Sequence, residues 1–444
     1  MTTVNSPTTD HQAIVDPETL VKRGPGTFRI HTDAYTDPRI FDMEMEKIFS
    51  RTWVYLAHES ELPEPGNYKT AHIGLQPVIV TRGDDKKINA FYNRCRHRGA
   101  VVCREPKGFA NSFRCPYHGW IYGKDGSLLG VSMRDGYAKD FDQPDGLLPV
   151  PRVESYQGLI FASAYADVPD LKEHLGLAAT WIDRRVGMSP VGEIELVSEP
   201  YVMEYQGNWK FQIENIIDEY HFAFVHEPFM KLQEKFGDST GDYGAHVSGS
   251  VQNMNERRQS GRRSWGGIGG HGLGERRFSD DQLDELLNGE DAEYYQELLE
   301  QHGRDELSLM VGGGSVMTFP NLGIIHRQIR IIRPLAVDRT EVTIYPYEVK
   351  GAPTSHNEGW LRSQERFYGP SGYGMPDDVE MFALNQQGLS AKAVEWLILE
   401  RGLDREEVNE HGDKSAPVGG ETSLRALWNE WLQLMSPTSA SPDQ

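Results

Sequence analysis

A chain of 444 residues exceeds what one ordinary core supports and predicts two or three domains. With 66 acidic against 45 basic residues its formal net charge of -21 repels nucleic acid and anionic membrane, and no apolar run is long enough to span a bilayer. Three cysteines cannot staple a chain of this size, so they read as ligands or buried thiols. The opening MTTVNSPTTDHQ is neither basic nor apolar, which points to a cytoplasmic protein.

In chain order, Asp37 and Pro38 predict a helix start, followed by Phe41, Met45, Ile48 and Phe49 at helical spacing. This is a docking helix in an N-terminal segment, residues 1–52. Short runs such as QPVIVT, INAFYN, SFRC and GLIFASA, punctuated by turn residues, predict a small all-β domain over residues 53–165.

Residues 166–435 read as an α+β domain. Its elements are a charged helix over DDQLDELLNGEDAEYYQELLEQ and strand-like runs GSVMTFP, LGIIHRQIRIIRPL and TEVTIYPYEV. Helices follow around VEMFALNQQGL, AKAVEWLILERG and SLRALWNEWLQLM. Residues 436–444, beginning SPTSAS, are expected to be a disordered tail.

Within the β domain stand Cys95 and His97, then, after seventeen intervening residues, Cys115 and His118. Two Cys/His pairs on turns between strands can bring four ligands to one metal centre. By ligand type alone a structural zinc site would be the commoner reading. Zinc fingers, however, pair Cys with Cys and His with His. Mixed pairs suit a [2Fe-2S] cluster with two thiolates on one iron and two imidazoles on the other. Cys103 falls between the loops and reads as a small buried side chain.

Further along, NWKFQIENIIDEYHFAFVHE contains Asp218, His221 and His226. Asp218 and His221, three apart, are expected on one helix face, while His226 needs a wide turn or a helix end to converge with them. Two histidines among aromatics are more often core residues, but behind an iron-sulfur domain they look like metal ligands. A dioxygen-activating iron takes two imidazoles and one carboxylate. In RFYGPSGYGMPDDVEMF, Asp377 and Asp378 stand after a glycine-rich turn, where either an inward-aimed carboxylate or a simple helix cap is expected.

The loop texts NRCRHRGA and CPYHGW, with the His221/His226 segment, resemble the large subunits of Rieske non-haem iron oxygenases such as the naphthalene, biphenyl and benzoate or toluate dioxygenases. The resemblance runs from about Ile40 to Met435. It implies a Rieske β domain followed by a helix-grip catalytic domain, and it makes Cys95, His97, Cys115 and His118 the cluster ligands. It further implies that His221, His226 and Asp378 hold a mononuclear Fe(II). Asp218 corresponds to an aspartate linking His221 to the His118 of a neighbouring subunit. Asn215 stands one residue closer to Asp218 than in the naphthalene-type motif, as in the benzoate-like branch, and is expected beside the iron ligands.

The resemblance also implies cis-dihydroxylation of an aromatic ring with dioxygen, a monocyclic aromatic acid being favoured. Electrons would come from a separate NAD(P)H-dependent reductase, with or without a ferredoxin. The assembly implied is a trimer with a small β subunit. A Rieske monooxygenase or demethylase, a polycyclic substrate, and a zinc-stabilised binding module are the alternatives.

GIGGHG, Gly267 to Gly272, satisfies G-x-G-x-x-G but follows no strand signal and is expected to be a mobile loop near the active-site mouth. Arg257, Arg258, Arg262 and Arg263 read as a solvated basic loop. On the probable strand from Ile324 to Pro334, one of His326, Arg327, Arg330 and Arg333 could receive a substrate carboxylate, but alternation does not say which.

Overall fold

The computed structural model describes residues 15–229, 231 and 262–436. Asp37 accepts a hydrogen bond from the Arg39 amide and Pro38 opens the expected helix Pro38–Glu44, which continues through a wider turn, Met45–Phe49. This segment is tied to the far end of the chain. The hairpin Val21–Gly24/Thr27–His31 takes Trp396–Ile398 as its third strand.

That strand corrects one expectation, since AKAVEWLILERG is a turn and a strand rather than a helix. The backbone amides of the Thr27–His31 edge offer it a ladder, and pairing overrides the helical spacing of its apolar residues.

Three small antiparallel sheets follow. One is Val54–His58 with Arg152–Tyr156 and Leu159–Ser163. A second runs from Asn67–Ile73 through Gln76–Arg82 and Ile88–Tyr92, with Lys107–Phe109 at its edge. The third is Ser112–Arg114, Ile121–Gly123 and Leu128–Gly130. The last two sheets carry the Cys/His loops between them.

Beyond residue 166 an antiparallel ten-stranded sheet dominates, running in space from Ile194–Leu196 through Arg339–Val349, Gln328–Ala336, Leu322–Ile325, Gly314–Thr318, Gly272–Glu275, Arg263–Gly266 and Lys414–Pro417 to Glu407–Val408, with Tyr201–Gln206 also pairing Arg339–Val349. Helices Trp209–Ile217 and Thr422–Met435 lie on it, the helix-on-antiparallel-sheet arrangement expected from the resemblance. Their junction is held by a buried polar network. Lys210 and Glu44, both 0% exposed, pair at 2.5 Å, and Glu44 also accepts from the indoles of Trp209 and Trp431.

Several expectations are redrawn. The charged segment is two helices, Asp280–Leu287 capped by Ser279 and Ala292–His302, broken at Asn288-Gly289. LGIIHRQIRIIRPL is a hairpin, not one strand: His326 has φ +51° between Leu322–Ile325 and Gln328–Ala336. GIGGHG is no loose mouth loop. It is the connection between the paired strands Arg263–Gly266 and Gly272–Glu275, its Gly270 pressed against Glu430 of the C-terminal helix. Helix Thr354–Tyr368 was not expected; its buried positions include polar His356 and Gln364, which blurs the apolar period.

Arg263 pairs with Glu407 at 2.8 Å, while Arg257 and Arg258 lie outside the described residues, as do residues 437–444 of the expected tail.

Candidate metal centres

The two Cys/His loops have the same backbone design. In each, the cysteine amide donates to the carbonyl five residues on, Cys95 to Ala100 and Cys115 to Trp120, both at 2.8 Å. The amides of Gly99 and Gly119 return to the cysteine carbonyls at 3.0 Å. Both glycines are left-handed, φ +79° and +70°, which a side chain would resist. The thiols are buried, 3% and 2% exposed, and the rings of His97 and His118 meet edge to face at 4.6 Å.

Trp120 stacks on His97 at 5.1 Å, and the Tyr122 hydroxyl lies 3.2 Å from the Cys95 sulfur. Buried His97 Nδ1 has no protein partner. Two buried thiols beside two imidazoles that face each other are the donors a Rieske cluster takes. Cys103 turns its sulfur toward the Glu105 carbonyl at 3.7 Å instead, and is buried as expected.

In the second domain, helix Trp209–Ile217 stops at Asp218, whose ψ of 104° leaves the helical region. Asp218 and His221 therefore do not share a continuous helix. His221 and His226 bracket the single turn Phe222–Val225 instead, and it is this pair of helix ends that brings His226 round. His226, 1% exposed, is wedged against the rings of Phe222 and Phe367 at 5.1 and 5.0 Å.

Asp378 comes from the first turn of helix Met375–Gly388, 3% exposed, with Oδ1 3.2 Å from His226 Nε2 and 3.5 Å from His221 Nε2. The preceding turn closes on Phe367 so tightly that a Cβ at Gly374 would collide with its ring. Among the described residues, only His221, His226 and Asp378 bring three such donors all within 4.8 Å of one another.

Acid groups flank the trio. Asp218 Oδ2 is 3.4 Å from His221 Nδ1 and Asp377 Oδ2 is 3.7 Å from His226 Nδ1, so each imidazole presents Nε2 to the common point and Nδ1 to a carboxylate. Asn215 Nδ2 donates to Asp378 Oδ1 at 3.1 Å and lies 3.2 Å from His221 Nε2. Burial pushes the Asp378 carboxyl up, but the His226 hydrogen bond and the charges of His221, His226 and Arg330 outweigh it and hold the group below its ordinary value. The donor set matches the two-histidine, one-carboxylate face of a non-haem iron site.

A cavity of about 110 Å³ opens onto this trio, walled by Ile216, Phe222, Ile325 and Tyr368, with His326 and Arg330 from the hairpin and Arg276 from beside it. Burial, then the charges of Arg276, Arg185 and Arg330, push the His326 imidazole down to about 3, so it is neutral. Tyr368 and Arg276 escaped the sequence reading. Tyr368 ends the helix whose apolar period was blurred, and Arg276 carries no local signal.

A β domain with two Cys-His loops, followed by an antiparallel-sheet domain with a two-histidine, one-carboxylate trio, defines a Rieske-type non-haem iron oxygenase. The chain matches the family "Rieske [2Fe-2S] domain" over residues 52–141 and "Ring hydroxylating alpha subunit (catalytic domain)" over 195–435. It belongs to the ring-hydroxylating dioxygenase alpha subunits, oxidoreductases with a Rieske cluster and a non-haem iron.

Toluate 1,2-dioxygenase subunit alpha of Pseudomonas putida is 37% identical over 82% of this chain and 80% of its own. The anthranilate 1,2-dioxygenase large subunit of Acinetobacter baylyi is 33% identical over 85% and 81%. A crystal structure of a naphthalene 1,2-dioxygenase mutant bound to phenanthrene superposes with a TM-score of 0.81 at 26% identity, covering 94% of both chains. Among the described residues no helix is long and apolar enough to cross a membrane.

Proposed function

We propose that this chain is the terminal oxygenase subunit that cis-dihydroxylates a monocyclic aromatic acid. In this reading Cys95, His97, Cys115 and His118 hold the [2Fe-2S] cluster, and His221, His226 and Asp378 hold Fe(II). The observation that carries it is the trio at the floor of a cavity of about 110 Å³. When bound, the cluster supplies one-electron storage and the mononuclear iron supplies dioxygen binding and activation.

The protein groups do the positioning. Asp218 and Asp377, at the Nδ1 side of the two histidines, favour the tautomer whose Nε2 is free for metal. Asn215 steadies the Asp378 oxygen. Ile216, Phe222, Ile325 and Tyr368 give the ring an apolar wall.

Asp218, with 28% of its side chain exposed, can also reach an imidazole on a second copy, for which His118 beside the exposed Tyr117 is the candidate. The working assembly is then a trimer of these chains with a small β subunit, in the cytoplasm, with residues 53–165 and 166–435 as its two domains. A separate reductase, with or without a ferredoxin, supplies the electrons; GIGGHG is a hairpin connection and offers no dinucleotide turn.

Product analysis under labelled dioxygen tests the reaction. Two labelled oxygens in one dihydrodiol are expected; a single label in the product would replace dioxygenation by monooxygenation.

A further inference from the structure

Arg330 sits in the middle of strand Gln328–Ala336, opposite Gly323 on one neighbour and Ile344 on the other. It is 0% exposed, and none of its three guanidinium nitrogens has a hydrogen-bond partner. This is unusual for a buried cation, because an unpaired buried charge is costly. Three other deeply buried cations among the described residues are each paired with a carboxylate. Arg425 faces Glu406 at 2.7 Å, Lys210 faces Glu44 at 2.5 Å and Lys69 faces Glu61 at 2.7 Å.

Arg330 has instead the face of the Tyr368 ring, 4.9 Å from its guanidinium carbon, and is among the residues lining the cavity that holds His221, His226 and Asp378. Asp378 attracts it electrostatically but is already engaged by His226 and Asn215.

The hairpin separates the cations that the sequence left undivided. His326 is neutral, as above. Arg327 donates to His356 at 2.5 Å in an adjoining cavity. Arg333 is spent on Glu341 at 3.2 Å and His72 at 2.9 Å, in the groove between the two domains. Only Arg330 of the four is both cationic and among the residues lining the trio's cavity.

We propose that Arg330 is the carboxylate anchor of the substrate: it pairs with the acid group of an aromatic carboxylate whose ring lies over Tyr368 and beside the trio, and so selects ring acids over neutral rings. The proposal rests on the ring-hydroxylating reading and names the substrate group that this site binds. A planar guanidinium offers paired N–H donors that match a carboxylate's two oxygens, and with no protein acceptor to displace, ligand binding itself satisfies the buried charge.

The test is calorimetric titration of the iron-loaded holoenzyme with benzene mono- and dicarboxylates and with the corresponding neutral amides. Wild-type protein should bind at least one acid more tightly than its amide by roughly 10- to 100-fold. Arg330→Gln and Arg330→Met should abolish that preference while leaving amide binding, iron content and melting temperature near or above wild type. Arg330→Lys should restore part of it.

Equal binding of acids and amides by the wild type would overturn the anchor, as would loss of acid and amide binding together in both neutral variants with lowered melting temperature, which marks a structural arginine. Failure here leaves the dioxygenation reading to stand on its labelled products. A preserved acid preference without doubly labelled product sinks that reading and not the anchor.

Discussion

The two metal centres are built in opposite ways. The proposed cluster site in the β domain is made from two nearly identical local loops, each a Cys, a His and a left-handed Gly within five residues, closed by its own backbone hydrogen bonds. The proposed iron site in the α+β domain takes two histidines from the ends of one short helical turn and a carboxylate from more than 150 residues later, brought together by packing around Phe367. A site made of local loops advertises itself by spacing. A site closed by tertiary packing shows its two neighbouring histidines by spacing and leaves the distant carboxylate to resemblance.

This contrast can be broken by substitution, beginning with the largest effects. Cys115→Ser should remove the cluster altogether, abolishing visible absorbance and the rhombic EPR signal of the reduced protein while one iron per chain remains. Asp378→Ala should do the reverse, keeping the absorbance and losing the third iron by metal analysis. If either change emptied both centres, the independence of the two sites would be refuted.

Between these extremes lies the helix junction. Lys210→Met leaves Glu44 buried without its cation and should lower unfolding stability by about 3–5 kcal/mol, read by denaturant melts. Asp218→Asn should retain all iron yet slow cluster reoxidation by dioxygen in single-turnover mixing by roughly 10- to 100-fold. Unchanged reoxidation would remove Asp218 from any bridging role.

The smallest effect is a pH dependence. Glu214 accepts from Tyr35 at 2.6 Å and Trp428 at 2.8 Å, but burial outweighs these bonds and pushes its carboxyl up to about 7. A folded-state value above the unfolded one means that the protonated form is favoured on folding. Its stabilising contribution is full below the unfolded value of 4.5 and is lost as pH rises towards 7. Glu214→Gln should therefore raise the melting temperature more at pH 8 than at pH 4.5, by no more than about 3 kcal/mol in stability. An equal shift at both pH values would contradict the assignment.

Much of this was legible because the signals were local. The Asp37-Pro38 cap, the strands of the β domain, the cluster loops and helix Thr422–Met435 each depend on a few adjacent residues and lie where their text places them. The errors were made where partners distant in sequence decide. Trp396–Ile398 became a strand because a free edge at Thr27–His31 was waiting for it. The turn at His326 has a positive φ with none of the usual turn residues, so the hairpin had no signal and four cations appeared to share one strand.

By itself, then, the amino-acid order determined which chemistry the chain carries: soft and imidazole donors at cluster spacing, and two histidines with acids near enough to orient them. The resemblance already pointed to Asp378, but that its carboxylate meets the two histidines, and that Arg330 rather than its neighbours on the hairpin lines the same cavity, was visible only in the tertiary structure. A side chain's direction depends on helix ends, hairpin register and the ring packed behind it, and these are set by contacts between segments more than 100 residues apart, such as Asn215 with Asp378.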